Sequence, residues 1–258
     1  MSQILHITSR DNPALVRLRK LGSDAAGYRK TGSVWIEGDH LLRAARLRGW
    51  PLGLVVLTET AMQDDALREL AEAAARVLVV PVALFKGLSG LESPAQIGAE
   101  LLLPPPASLA PDAASLVLDR LQDAGNVGAI LRSAAAFGVR QVLALKGTAA
   151  LWSPKVLRAG QGAHFGLTLI EGLAVADLAA LAVPWVATSS HAAALLNQTP
   201  LPSPCAWVLG HEGQGVSGAL LARCALTVGI PQPGGEESLN VAAAAAICLY
   251  ESARQQTI

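Results

Sequence analysis

Two loops near the C-terminal end of this chain carry the residue types that chemistry needs. His211-Glu212-Gly213-Gln214-Gly215 sets an imidazole and a carboxylate among glycines, and about twenty residues later comes Ile230-Pro231-Gln232-Pro233-Gly234-Gly235-Glu236-Glu237-Ser238-Leu239-Asn240-Val241. Glycines let the main chain turn sharply and come close to a ligand. His211 has the residue type of a base, although a loop histidine is more often a hydrogen-bonding residue. Gly213 to Gly218 also satisfies G-x-G-x-x-G, with Glu236 or Glu237 downstream, the pattern of a dinucleotide site. In a doubly wound fold that loop opens the first βα unit. Here one strand and one helix are all that is expected after it, so a plain tight turn competes with the nicotinamide reading.

The elements that must position these loops alternate in α/β fashion. The spacing predicts a basic helix over Asn12 to Leu21, an apolar helix over Asp39 to Gly49, a strand over Leu52 to Leu57, a helix over Asp64 to Ala75 and a strand over Val77 to Val80. The proline cluster Leu103 to Pro111 cannot sustain a helix or a central strand and reads as a stiff linker. Beyond it come a strand over Ser115 to Leu118, a helix over Val127 to Phe137 closed by Gly138, and a strand over Gln141 to Leu145. Strands over Ala206 to Leu209 and Leu226 to Ile230 and an alanine-rich helix over Asn240 to Gln255 complete the alternation. Two domains follow from this: 1–103, a linker 104–113, and 114–258.

Composition narrows the class. The chain of 258 residues is 52% apolar, yet its longest apolar runs, such as Val77 to Phe85, fall far short of a bilayer span of ~20 residues. Cys205, Cys224 and Cys248 are widely spaced without a C-x-x-C pair, which argues for reduced thiols in a cytoplasmic protein and against a metal site. No basic segment feeding an apolar core follows Met1, so no secretory signal is read. The net charge is zero but uneven: residues 1–50 hold nine Lys/Arg against four acids. A basic end fits a polyanion gripped there, although a solvated helix face is the commoner meaning of such clusters.

Three segments taken in order carry a resemblance. Leu121-Gln122-Asp123-Ala124-Gly125-Asn126-Val127-Gly128-Ala129-Ile130-Leu131-Arg132-Ser133 through Val139, then Val208 to Ser217, then Ile230 to Ala242 resemble the three motifs of the SpoU (TrmH-like) RNA ribose methyltransferases of the SPOUT superfamily. Residues Ile7 to Pro13 and Trp35 to Gly38 look like that family's N-terminal RNA-binding domain. The resemblance implies an α/β protein: a C-terminal SPOUT parallel-sheet domain with a deep trefoil knot, plus a smaller N-terminal ribosomal-protein-like α/β domain. A knot explains why the ligand loops come so late, and is a rare exception to unknotted topology.

The resemblance further implies S-adenosylmethionine as cofactor, held by Leu209, Gly210, Gly215, Ile230 and Leu239, with Gly213 and Gly215 allowing close approach of the main chain. It implies methyl transfer to a ribose 2′-hydroxyl, in ribosomal RNA ahead of the alternative, transfer RNA. Arg132 matches the family's essential arginine, and Asn126, Glu212, Ser238 and Asn240 its polar site residues. Taken singly, Asn126 reads as a helix N-cap and Ser238 or Asn240 as a cap for the last helix. RNA is expected to contact Arg10, Arg17, Arg19, Lys20 and Arg158, and a homodimer is expected, with no membrane and no metal. The family usually has proline at Ala124, often asparagine at His211, and serine at Gly160.

Overall fold

The structure, a computed structural model, describes residues 3–234 and 238–256. Its elements run β1 (Gln3–His6), α1 (Pro13–Ser23), α2 (Tyr28–Thr31), β2 (Ser33–Glu37), α3 (Asp39–Leu47), β3 (Leu54–Thr58), α4 (Asp65–Glu72), β4 (Arg76–Val80), α5 (Val82–Lys86) and β5 (Ile97–Leu102). They continue with β6 (Ser115–Asp119), α6 (Ala124–Ala136), β7 (Gln141–Leu145), α7 (Pro154–Gly160), β8 (Thr168–Leu173), β9 (Trp185–Thr188), β10 (Ala194–Leu195), β11 (Ala206–Gly210), α8 (Gly218–Leu221), β12 (Leu226–Gly229) and α9 (Val241–Gln256). Contacts divide the chain into two compact units, one of Met1–Pro105 with Trp152–Phe165, the other of Pro106–Leu151 with Gly166–Ile258.

In the first unit the sheet order is β1-β4-β3-β5-β2, with β1, β4 and β3 parallel and β5 antiparallel to both β3 and β2. Helix α1 starts where Asn12 accepts the Ala14 amide and Pro13 takes the first helical position, whose N–H has no helical partner anyway. Its Leu15, Leu18 and Leu21 recur on one face and pack on Trp35, Val56, Leu78 and Phe85. The sequence expectation of a contiguous C-terminal half at 114–258 leaves out where 152–165 goes. Trp50 packs at a tilt against Trp152 and edge-on to Phe165, and its indole N–H donates to the Phe165 carbonyl at 3.2 Å. These large aromatic surfaces outweigh chain proximity in deciding which core the segment joins.

In the second unit all seven strands are parallel, in the order β10-β12-β9-β11-β6-β7-β8. Strands β6 and β7 are buried along their whole length, matching the near-continuous apolar runs of a sheet covered on both faces. The last strand, β12, lies between β9 and β10 rather than at an edge. Helix α6 begins three residues earlier than its apolar pattern indicates, because Asp123 is the cap and accepts the Asn126 amide at 2.7 Å. Asn126 is therefore inside the first turn and is not the N-cap. Gly138, at φ +85°, closes the helix as expected. Helix α9 packs along α6, burying Ala245, Cys248 and Leu249, while Trp207 donates its indole N–H to Ser252 Oγ at 2.9 Å. Among the described residues no helix is long and apolar enough to cross a membrane.

Candidate active site

Strands β6, β11, β9 and β12 are adjacent or nearly so in the second unit, and the segments leaving their carboxyl ends converge. Open parallel sheets place ligand sites at such ends. A cavity of about 610 Å³ lies there, lined by Thr188 to His191 from the end of β9, Gly210 to Val216 from the end of β11, Ile230 and Gln232 after β12, and Ser238 to Val241 at the start of α9. That volume suits a nucleoside-sized ligand.

Of the five residues expected to hold the cofactor, Gly210, Gly215, Ile230 and Leu239 line the cavity; Leu209 is buried in β11 beneath it. The glycines divide their work differently from the expectation. A side chain at Gly210 would collide with the Gly215 carbonyl carbon and the Val216 nitrogen, so close approach belongs to Gly210. Gly215 supplies a φ of +68°, and Gly213 shows neither feature. The loop closes on itself: the Gly215 amide donates to the His211 carbonyl at 2.8 Å, and the Gly213 amide to His211 Nδ1 at 3.0 Å. His211 therefore spends one imidazole nitrogen on shaping the loop.

Three of the expected polar residues, from segments far apart in the chain, form one hydrogen-bonded set. Glu212 accepts the Asp123 amide at 3.1 Å, the Gln122 amide at 3.2 Å and Asn126 Nδ2 at 3.3 Å. Asn126 Oδ1 in turn accepts Asn240 Nδ2 at 2.9 Å, while Asn240 Oδ1 caps α9 through the Ala242 and Ala243 amides. Partial burial opposes ionisation of Glu212, but the amides of Glu212 itself, Asp123 and Gln122 and the Asn126 side chain outweigh it and hold its carboxyl below the usual range. Ser238 lines the cavity beside this set.

Arg132 stands apart. It is exposed on α6, with no hydrogen bond or ion pair among the described residues. Six residues along a helix is about 9 Å of rise and about 120° of turn from Asn126, so the two do not share a face.

The expected RNA contacts Arg10, Arg17, Arg19, Lys20 and Arg158 all belong to the first unit. Arg17 donates to Glu100 at 2.6 Å, a carboxylate only 6% exposed that also accepts Ser33 Oγ. Arg19 donates to the Gly87 carbonyl at 3.2 Å. Arg10 and Lys20 are exposed, and Arg158 is half-buried in a small recess with Trp35, Glu37 and Leu157.

The dinucleotide pattern finds little support in this geometry. Helix α8, which its last glycine opens, is four residues long, too short to present a helix N-terminus to a pyrophosphate. Glu236 and Glu237 lie outside the described residues. Two parts of the site had no sequence signal: Thr188 to His191, and Asp119, whose carboxylate holds Ser217.

Comparison with known proteins identifies relatives of the whole chain. The family model described as "SpoU rRNA Methylase family" matches residues 113–250. An uncharacterized tRNA/rRNA methyltransferase of Synechocystis is 33% identical over 99% of this chain and 96% of its own length. The 23S rRNA (guanosine(2553)-2′-O)-methyltransferase RlmP of Bacillus subtilis is 33% identical over 86% of this chain and 88% of its own. A crystal structure of an RNA 2′-O ribose methyltransferase superposes with a TM-score of 0.83 at 32% identity, covering 98% of this chain and 100% of that one. An AdoMet-bound rRNA methyltransferase from Sinorhizobium meliloti superposes with a TM-score of 0.85 at 25% identity, covering all of both chains.

Proposed function

Since the chain belongs to the SpoU rRNA methylase family, we propose that it transfers a methyl group from S-adenosylmethionine to a ribose 2′-hydroxyl of ribosomal RNA. The observation that carries this reading is the Asn126–Glu212–Asn240 set, assembled from three distant segments against a nucleoside-sized cavity. Relatives named for guanosine in 23S rRNA make a guanosine of the large-subunit RNA the first substrate to test.

Gly210, Gly215, Ile230 and Leu239 hold the cofactor, which when bound supplies an electrophilic methyl group. The chain's own residues then have to orient the hydroxyl and draw its proton away. Glu212 is ionised, but its oxygens are engaged by Gln122, Asp123 and Asn126, so it acts as a fixed anchor rather than a base. Arg132 brings a guanidinium. Its planar fork is suited to clamping the adjacent phosphate and turning the hydroxyl toward the methyl group.

The exposed position of Arg132 supports a homodimer in which it serves the partner subunit's site. Ile247 and Tyr250, 39% and 55% exposed on α9, form an apolar stripe beside the helix that carries Arg132. Light scattering is expected to give about twice the 26.6 kDa chain mass. The deep trefoil knot belongs to the same reading, supported by the insertion of β12 between β9 and β10 after the loops of β11. The first unit acts as the RNA-gripping domain, with 104–113 as its linker to the rest, in a cytoplasmic protein.

The direct test is mapping of 2′-O-methyl sites in total RNA with and without the gene, paired with thermal-shift titration against S-adenosylmethionine and NAD. Stabilisation by NAD alone, or an unchanged methylation map, would rule the proposal out.

A further inference from the structure

Beneath the His211–Val216 loop lies a pair of charged residues that does not line the cavity. Asp119 ends β6 in register with Gly210 at the end of β11 and is only 1% exposed. Both its oxygens are used: Oδ2 accepts the Ser217 amide at 2.7 Å, and Oδ1 accepts Arg120 Nε at 2.9 Å. Burial disfavours its charge, yet Arg120 and Ser217 together hold the carboxyl below the ordinary range. Arg120 then reaches on, donating from Nη1 to Gln214 Oε1 at 3.2 Å near the tip of the loop.

Arg120 does this from an unusual backbone. Its φ is +61°, a left-handed conformation that side chains other than glycine, asparagine and aspartate seldom adopt. Its aliphatic stem lies against Gly147, where an added Cβ would come within 3.3 Å of Arg120 Cγ. A strained residue whose guanidinium ends on a cavity-lining loop calls for a function that offsets the strain.

We propose that Asp119 and Arg120 are positioning residues that set the 211–217 loop for cofactor binding. Asp119 fixes the loop's exit at Ser217 and Arg120 fixes its tip at Gln214, while Glu212 ties its entry to Gln122 and Asp123. A ligand that meets a loop already in place does not have to order it, so these contacts act on affinity rather than on the transfer step. This inference rests on the cavity being the S-adenosylmethionine site.

Arg120→Gly is the decisive variant, because glycine removes the backbone strain and the guanidinium together. Calorimetry on the full chain should show S-adenosylmethionine bound about tenfold more weakly, with the melting temperature unchanged or raised. Turnover at saturating cofactor should stay within about twofold, putting the loss in KM rather than kcat. Gln214→Ala should weaken binding in the native background and add nothing in the Arg120→Gly background. Asp119→Asn, which keeps the shape but loses the charge, should raise the dissociation constant as well. Native affinity in Arg120→Gly, or a loss that only tracks a falling melting temperature, overturns the proposal. A native chain that binds no S-adenosylmethionine fails at a different arm and removes the cofactor assignment itself.

Discussion

At the residue scale the proposed site pairs one engaged set with an arginine that stands apart from it. Asn126, Glu212 and Asn240 are already bonded to one another, whereas Arg132 has no partner among the described residues. Arg132→Ala should therefore leave folding and S-adenosylmethionine affinity nearly unchanged while abolishing transfer in a tritiated-methyl assay; wild-type-like turnover would end the assignment. Lysine should not restore activity, since an ammonium lacks the planar fork. Glu212→Gln is expected to behave in the opposite way. It leaves one acceptor oxygen where two separately accept the Gln122 and Asp123 amides, so cofactor binding and thermal stability should fall together. Because the native carboxyl is held below the ordinary range, its contribution is present above that range and fades only as pH drops through the depressed value. Titrating activity downward should accordingly show no Glu212 limb near neutrality.

At the element scale, loop and helix ends decide what the site tolerates. Gly210 sits where any side chain would strike the backbone of Gly215 and Val216, so Gly210→Ala should open the loop and remove cofactor binding. Gly218 is the matched control, since a Cβ there meets nothing within 4 Å and no positive φ is required. Gly218→Ala should bind the cofactor normally, and equal loss in both would show that the loop is sensitive for some other reason. Helix α9 depends on Asn240 at its start, where loss of a cap costs about 1 kcal/mol. Near its end, Arg254 and Gln255 donate to Glu251 and hold that carboxyl at about 2 against an ordinary 4.5. Ionised Glu251 therefore stabilises the native chain above about pH 4.5, and the benefit is lost as pH falls toward 2. Melting curves of the native chain and Glu251→Gln should differ at pH 7 and converge in strong acid.

At the scale of the whole molecule, the chain passes between its two units more than once, because Trp152–Phe165 is built into the first. A fragment ending at Pro105 lacks the surface that covers Trp50, and Gly162 can no longer pack on Ala44 and Leu41. Such a fragment should unfold at a lower urea concentration than the full chain, followed by tryptophan fluorescence; an equal midpoint would show that the segment adds nothing. The RNA grip is also testable at this scale. Arg17 should be left intact, since removing it strands the buried Glu100 carboxylate. Neutralising Arg10 and Lys20 instead should weaken RNA binding across sequences, each lost phosphate contact reducing the log–log salt slope by about 0.7 for single strands.

The sequence by itself determined the elements whose cause is local. The apolar run of β7, the glycine-closed helix α6, and the alanine-rich α9 all declare themselves through neighbours a few residues away. The motif residues Asn126, Glu212 and Asn240 were legible for a different reason, as a pattern shared with a family rather than as a pattern with a visible cause. Only the tertiary structure decided that Asp123 and not Asn126 caps α6, that Gly210 and not Gly213 is the point of close approach, and that Trp152–Phe165 leaves the second unit for the first. It also brought in Asp119, Arg120 and the segment after β9. Each of these depends on backbone or side chains roughly 30 to 120 residues away, or on which of several nearby donors and acceptors wins, and neither periodicity nor composition encodes such a choice.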